Sequence, residues 1–191
     1  MPADANRTNT ETMTAATALV RTLMAQGIDK LYCLPGVQND DFFDALYTTG
    51  KPIQPIHTRH EQATAYMALG AALATGKPQA YCVVPGPGFL NTTAALSTAY
   101  ATNAPVLAIA GQIPERYIGK GVGLLHEIPD QLAIMRGLTK WAERATDAQD
   151  TADKAREAFR QLLDGGPRPV ALECPMNVWR KSASVAFDGS K

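Results

Sequence analysis

No charged side chain occurs in residues 78–114, between Lys77 and Glu115. A helix predicted over residues 88–101 lies inside this stretch, and a second uncharged helix, over residues 62–76, comes just before it. A helix at the surface of a globular domain normally shows one charged face to water. We therefore expect both helices to be covered on every side, as they would be in an interface between subunits.

The overall composition narrows the function classes. The chain has 191 residues, which is enough for one α/β domain with a real core. Lys+Arg and Asp+Glu are both 18, so the formal net charge is +0, and no basic stripe supports nucleic-acid binding. The uncharged stretch is interrupted by Pro, Gly and Asn, which argues against a membrane span.

Three cysteines, Cys33, Cys82 and Cys174, each fall in a predicted apolar strand. An odd count without CxxC or Cys/His spacing argues against a disulfide framework or a zinc site. We predict buried free thiols in a reducing cytosol, and hence a cytoplasmic protein. Residues 1–11 lack the apolar core of a signal peptide and are predicted to be a flexible tail.

Short apolar runs alternate with longer helical segments along the chain. Strands are predicted at residues 30–34, 53–57, 80–84, 105–110, 139–143 and 169–174. Helices are predicted at residues 12–26, 39–47, from Thr58 onward, and at 88–101, 130–136 and 146–164. This alternation predicts a three-layer α/β/α domain over residues 12–180, with a mostly parallel, doubly wound sheet of about six strands. The polar residues 181–191 are expected to be a linker or tail toward an absent middle domain.

Four turns directly follow predicted strands, at Pro35-Gly36, residues 58–61, residues 85–88 and Gly111-Gln112. The carboxyl ends of parallel strands lie at one edge of a sheet, where ligands bind in open α/β folds. The sequence therefore predicts a site at this edge. The Gly-rich residues 111–127 are a candidate active-site loop.

Glu61 is the single carboxylate at the start of the uncharged helix over residues 62–76. Thr58-x-x-Glu61 fits a capping box, and the helix dipole favours a carboxylate in the first turn, so a structural role suffices. A half-buried carboxylate beside apolar surface can instead share a proton with a ligand nitrogen. The spacing leaves both roles open.

Other motifs carry weaker signals. Residues 85–88, Pro-Gly-Pro-Gly, match neither a Walker loop nor GxGxxG, so a rigid turn is favoured over a Rossmann-type nucleotide site. Asn91 lies one turn further on, bonded locally or facing the cleft. His126-Glu127 lacks the second histidine of HExxH, and no metal site is predicted. We also predict three residues as core rather than as a cofactor-binding surface: Tyr66, Met67 and Leu69.

Taken in order, the motifs resemble the N-terminal pyrimidine-binding domain of thiamine-diphosphate enzymes, in the group of acetolactate synthase, benzoylformate decarboxylase and benzaldehyde lyase. The resemblance covers about residues 13–179. Its motifs are Pro35-Gly36, Arg59-His-Glu-Gln62, Ala68-x-Gly70, Ala74-Thr-Gly-Lys-Pro78, Gly86-Pro-Gly88 with Asn91, and Gly111-Gln112.

The resemblance implies roles for individual residues. Glu61 matches the glutamate that hydrogen-bonds the aminopyrimidine ring nitrogen and favours the tautomer that activates the cofactor for attack on a 2-keto acid. His126 replaces a glutamine that is common in this group, and Pro85 replaces a serine or threonine, which leaves the substrate class open. Matches to the aminopyrimidine end or the cleft are Pro35, Gly36, Gly86 and Asn91. Matches nearer the substrate are Val37, Gln38, Gln112 and His126.

The resemblance also implies partners. The Gly-Asp-Gly…Asn magnesium motif is missing from the chain. Thiamine diphosphate is therefore expected to bind by its pyrimidine end only, with Mg²⁺ on a domain absent from this chain, and the chain alone is expected to be inactive. A homodimer or tetramer would form through the helices at 62–76 and 88–101, with a diphosphate-binding domain of a partner subunit. The alternative is a non-catalytic dimerisation or regulatory module.

Overall fold

The computed structural model describes residues 9–50 and 53–187. Its strands are β1 (Asn9–Thr14), β2 (Lys30–Leu34), β3 (Gln54–His57), β4 (Gln79–Val83), β5 (Val106–Gln112), β6 (Trp141–Arg144), β7 (Val170–Pro175) and β8 (Ser182–Phe187). Its helices are α1 (Ala15–Ala25), α2 (Asp40–Thr48), α3 (Glu61–Thr75), α4 (Pro87–Leu90), α5 (Thr93–Ala101), α6 (Gln131–Leu138) and α7 (Ala148–Leu163).

Six strands form one parallel sheet in the order β3-β2-β4-β5-β7-β6. Alternate residues of each strand face opposite layers: Leu31 and Cys33 pack with α1, α2 and α7, and Tyr32 packs with α3, α5 and α6. Both faces are thus covered by helices, which confirms the predicted three-layer, doubly wound architecture.

The two ends of the described chain pair with each other, which the sequence analysis did not predict. β1 and β8 form a separate antiparallel two-stranded sheet. The predicted helix from residue 12 therefore starts only at Ala15, where the Thr14 hydroxyl accepts the Thr17 N–H at 3.1 Å as N-cap. Ser182–Phe187 is a strand rather than an irregular tail, because Val185 is fully buried and the backbone pairs with β1. Lys181, just before β8, pairs with Glu115, and the remainder of both predicted tails, residues 1–8 and 188–191, lies outside the described residues.

The helix predicted over residues 88–101 is also divided, into α4 and α5, with a break at Asn91 and Thr92. The Thr92 hydroxyl donates to the Phe89 carbonyl at 2.7 Å and lies 2.9 Å from the hydroxyl of Tyr81. Tyr81 is completely buried, so its hydroxyl needs a partner inside the protein. Side-chain bonding of this kind competes with the helical pattern and explains the break.

The outward face of α3 differs from the expectation. Leu69 is core as predicted, at 4% exposure, but Tyr66 and Met67 are 41% and 42% exposed, and Leu73 is 54% exposed. These three side chains project away from the sheet, because the helix uses Ala65, Ala68 and Leu69 to cover it. An uncharged, partly apolar surface is therefore open in the single chain. Among the described residues, no helix has the length and apolarity needed to cross a bilayer.

Candidate functional site

The predicted edge of the sheet brings several predicted site residues together. Glu61 is the first residue of α3, just beyond β3, and Asn91 follows α4, just beyond β4. Asn91 Nδ2 donates to Glu61 Oε2 at 2.9 Å. Among the described residues no hydrogen bond engages the other oxygen, Oε1, which lies 3.5 Å from the position that a Cβ of Gly88 would occupy. The carboxylate is thus oriented by one oxygen and open at the other.

The capping-box explanation of Glu61 does not hold. The N-cap of α3 is His60, whose Nδ1 accepts the Gln62 N–H at 3.1 Å. Thr58 Oγ1 instead bonds Thr64 Oγ1 at 2.5 Å and the His60 carbonyl at 3.1 Å. Because the Thr58 hydroxyl is used inside the domain, the helix starts three residues later and the Glu61 side chain is left for another role.

Two glycine turns approach each other around one valine. A Cβ at Gly36 would overlap Val84 Cγ1, and a Cβ at Gly88 would lie 2.5 Å from Val84 Cγ2. Glycine is therefore needed at both positions for a steric reason rather than for flexibility. Val84 fills the space between the turn after β2 and the turn after β4, next to Glu61. Pro35, in the turn after β2, lines a groove of about 690 Å³ between α2 and β3.

Gly86 has φ 57° and ψ −119°, a conformation that residues with a Cβ rarely adopt. A Cβ there would collide with the carbonyl of His126, which itself has a positive φ of 70°. The Gly86 N–H donates to Gln131 Oε1 at 2.7 Å. The Gly-rich loop and α6 thus pack directly against the turn that leads to Asn91.

A buried polar network lies beneath this turn, and the sequence analysis missed it. Glu173 is fully buried on β7, and its Oε1 accepts from Gln112 Nε2 and from Gln131 Nε2, each at 2.9 Å. Arg144 Nε pairs with the other oxygen of Glu173. The sequence held one signal for this network: Glu173 is the one charged residue in the otherwise apolar run 169–174, and a charged side chain buried in a strand needs a partner.

The residues predicted near the substrate lie in different environments. Val37 is 55% exposed, whereas Gln38 is 4% exposed. Within the described part of the chain, neither Gln38 Oε1 nor the buried His126 Nδ1 has a hydrogen-bond partner. Gln112 is 2% exposed, with Nε2 bonded to Glu173 and Oε1 accepting the Ile113 N–H at 2.7 Å. Contact of these four residues with a substrate stays a prediction.

Glu127 organises the loop around its own carboxylate. It accepts backbone N–H groups of Gly121 at 2.9 Å, Gly123 at 2.7 Å and Leu124 at 3.0 Å. These bonds stabilise the ionised form more than desolvation destabilises it, and the bond from Leu124 has the largest effect. They lower the pKa of Glu127 from its ordinary 4.5. The ionised side chain thereby ties the loop next to His126.

The cysteines are free and buried, as predicted. Burial raises the pKa of Cys33 to about 11 and that of Cys82 well above its ordinary value, so these thiols stay protonated and are poor nucleophiles. Within the part of the chain that the structure describes, no three His, Cys, Asp or Glu side chains form a metal-binding group.

Comparison with known proteins gives consistent matches. Residues 13–134 match the family described as "Thiamine pyrophosphate enzyme, N-terminal TPP binding domain". A probable 2-ketoarginine decarboxylase of Pseudomonas aeruginosa is 36% identical over 94% of this chain and 32% of its own length. The acetolactate synthase isozyme 3 large subunit of Escherichia coli is 32% identical over 93% of this chain and 30% of its own length.

A solved structure agrees with these sequence matches. The thiamine diphosphate-dependent 4-hydroxybenzoylformate decarboxylase of Rhodococcus jostii superposes with a TM-score of 0.80 and 25% identity, over 88% of this chain and 31% of that one. The chain thus spans about a third of the length of the relatives it matches.

Proposed function

The chain belongs to the thiamine pyrophosphate enzymes, as their N-terminal TPP-binding domain, and from this premise we propose that it supplies the pyrimidine half of a thiamine diphosphate site. The enzyme would be an acetolactate synthase-like lyase or transferase that acts on 2-keto acids, and Glu61 would be its catalytic carboxylate. The observation that carries the proposal is the Glu61–Asn91 bond, which orients the carboxylate and leaves Oε1 open.

The residues at this edge fit an aminopyrimidine, a flat ring with hydrogen-bonding nitrogens. Gly88 brings its backbone close to Glu61 Oε1, Gly36 packs on the other methyl group of the same valine, Val84, and a Cβ at Gly86 would collide with the His126 carbonyl. Gly36, Gly86, Glu61 and Asn91 would hold the ring, with Pro35 at the outer edge. When bound, thiamine diphosphate supplies an electron sink for breaking or forming a bond at the keto carbon.

The protein contributes orientation and one shared proton. Asn91 fixes the Glu61 carboxylate through Oε2, so Oε1 can exchange a proton with a ring nitrogen without a search for the correct rotamer. Exclusion of water by a neighbouring subunit would strengthen each of these interactions.

The remaining parts of the site would come from elsewhere. The described residues hold no metal-binding group, so we assign the diphosphate and Mg²⁺ to a diphosphate-binding domain of a partner subunit. We propose that the outward face of α3, with α4 and α5, forms the contact of a homodimer or tetramer. The chain alone would then be inactive. The three buried free thiols agree with a cytoplasmic location.

The test is Glu61→Gln in the assembled enzyme, in which this domain is combined with a diphosphate-binding domain. We expect turnover of a 2-keto acid to fall by about 10²- to 10⁴-fold, the usual contribution of a proton-transferring group, with an unchanged circular dichroism spectrum. Glu157→Gln serves as control and should retain activity, because Glu157 lies on α7 and its ion pair with Arg160 stays within that helix. Turnover of the Glu61→Gln enzyme close to that of the unmodified enzyme would refute the assignment.

The alternative, a non-catalytic dimerisation or regulatory module, is favoured by one observation: the exposed, uncharged face at Tyr66, Met67 and Leu73. Mixing the chain with a diphosphate-binding domain separates the two proposals. Turnover on mixing supports an enzyme subunit, whereas binding without turnover supports the module.

A further inference from the structure

The buried polar network around Glu173 extends, through Gln131, to the turn at Gly86 that leads to Asn91. Gln131 Oε1 accepts the Gly86 N–H at 2.7 Å, while its Nε2 donates to the Gly111 carbonyl at 3.0 Å and to Glu173 Oε1 at 2.9 Å. One buried amide, 1% exposed, thus joins the turn after β4, the end of β5 and the strand β7. All of its hydrogen-bonding atoms are used in a single orientation.

Only one arrangement of this amide satisfies its surroundings. An inverted Gln131 amide would turn its NH₂ group toward the Gly86 N–H and its oxygen toward the Glu173 carboxylate, so donors would face a donor and acceptors an acceptor. Glu173 therefore selects the orientation in which Gln131 accepts from Gly86. Arg144 Nε pairs with the second oxygen of Glu173, so the buried carboxyl group has a partner on each oxygen.

The turn at Gly86 is the point through which this network reaches the site. The backbone of Gly86 has a conformation that would be strained for any residue with a Cβ. The hydrogen bond from its N–H to Gln131 fixes the orientation of its peptide group. α4 starts at the next residue and ends beside Asn91, which orients Glu61. A rotation of the Gly86 peptide would therefore move Asn91 relative to Glu61.

We propose that Gln131, oriented by Glu173, is a positioning residue that sets the Glu61–Asn91 geometry through the turn at Gly86. Within the described residues its side-chain hydrogen bonds go to Gly86, Gly111 and Glu173, and none joins it to Glu61 or Asn91. The proposal rests on the proposed function for its effect on turnover, but its structural part, the restraint on the Gly86 peptide, is independent of that function.

Gln131→Met, which keeps the length of the side chain and removes its hydrogen bonds, tests the proposal. In the full chain, we expect hydrogen exchange of the Gly86 amide to become at least about 10-fold faster, because its acceptor is gone. In the assembled enzyme, we expect kcat to fall by about 10- to 100-fold, as small misplacements of catalytic groups do. The dissociation constant for thiamine diphosphate, measured by titration calorimetry, should rise.

Two further variants separate positioning from stability. Gln131→Asn keeps the amide but shortens the side chain by one methylene, which withdraws its oxygen from the Gly86 N–H. It should also speed Gly86 exchange and lower kcat, and it serves if the methionine variant does not fold. Thr151→Val removes the bond from the Thr151 hydroxyl to the Asp147 carbonyl at the start of α7, away from this network, and should lower the unfolding midpoint without changing kcat.

The outcomes are distinguishable from a failure of the proposed function. If Glu61→Gln leaves turnover intact, the proposed function fails, and Gly86 exchange still decides whether Gln131 restrains the turn. If Glu61 is essential but Gln131→Met leaves Gly86 exchange or kcat as in the unmodified protein, the positioning role is wrong. The positioning role is also wrong if Gln131→Met and Thr151→Val lower the unfolding midpoint equally and Gln131→Met loses no more kcat than Thr151→Val does.

Discussion

Asn91 Nδ2 lies 2.9 Å from Glu61 Oε2 and joins the end of α4 to the first residue of α3. The two residues are 30 positions apart, and both follow strands of the same sheet. This single bond converts an acidic side chain at a helix N-terminus into an oriented one, and it is the contact from which the predictions about the site start.

Removal of the Asn91 amide should affect function far more than stability. Asn91→Ala frees the Glu61 carboxylate to rotate, so we expect turnover of the assembled enzyme to fall by about 10- to 100-fold. The bond is solvent-exposed, so the free energy of unfolding should change by less than about 1 kcal/mol. Steady-state kinetics and urea unfolding measure the two effects. A large loss of stability would instead indicate that Asn91 is mainly structural.

The contact of Gly88 with Val84 predicts a suppressor. Gly88→Ala places a Cβ 2.5 Å from Val84 Cγ2, and such overpacking costs about 1–3 kcal/mol. Val84→Ala in the same chain removes the clashing methyl groups and should recover part of that loss. Urea unfolding of the single and double variants gives the coupling free energy.

Gly137→Ala in α6 is the matched control for this cycle. Beyond its chain neighbours and the backbone of its own helix, no atom of the described residues lies within 4 Å of the added Cβ. The variant should therefore be neutral or stabilised by up to about 1 kcal/mol through helix propensity. Strict additivity of Gly88→Ala and Val84→Ala would contradict the predicted contact.

Loop order around Glu127 should depend on pH. The folded loop favours the ionised carboxylate, so its pKa lies below 4.5, and the stabilisation it contributes is present above that value and is lost as pH falls through the lowered pKa. We expect exchange of the Gly121, Gly123 and Leu124 amides, corrected for intrinsic rates, to lose protection in this acid range.

Glu127→Gln is the control, because its amide does not ionise. This variant should show weaker protection of the same amides at neutral pH and no further loss in acid. If the unmodified loop kept its protection at a pH where an NMR titration shows the Glu127 carboxyl to be protonated, the ionised Glu127 would not be what orders it.

The outward face of α3 should mediate self-association. We expect the chain to form dimers at micromolar or higher concentration, and Met67→Glu to raise the dimer dissociation constant by at least about 10-fold, because a charge would be buried in an apolar contact. Leu163→Glu changes a side chain that is 50% exposed on α7, and it should have no such effect. Sedimentation over a wide concentration range checks both, and a strictly monomeric chain would contradict the prediction.

Local patterns predicted the sheet well, because strands buried on both faces are short continuous apolar runs in the sequence itself. The alternation of Leu31, Tyr32 and Cys33 between two layers follows directly from an apolar strand covered on both faces. The helix break at Thr92 was missed, because it depends on the buried hydroxyl of Tyr81 on another element. The pairing of β1 with β8 was also missed, because each segment is short and largely polar and becomes a strand only when it pairs with the other.

The sequence predicted that the candidate site residues meet at one edge of the sheet, but it did not predict the buried hydrogen bonds that hold the surrounding turns. Turns that follow parallel strands must meet at one edge, so Gly36, Glu61, Gly86 and Asn91 could be brought together from their order in the chain. The capping box at Thr58 was a wrong local interpretation, because the Thr58 hydroxyl bonds Thr64 within the fold. Gln131 and Glu173 carry no motif of their own, and their role depends on partners in distant segments.

The sequence by itself determined the layered sheet, the edge at which the predicted site residues meet and the uncharged surface, because apolar runs, turn residues and absence of charge are properties of short segments. Only the tertiary structure decided that Asn91 orients Glu61, and that Glu173 orients Gln131 across 42 positions of the chain. Such bonds exist only after the strands have aligned, since a side chain's choice of partner depends on distances that no local pattern specifies.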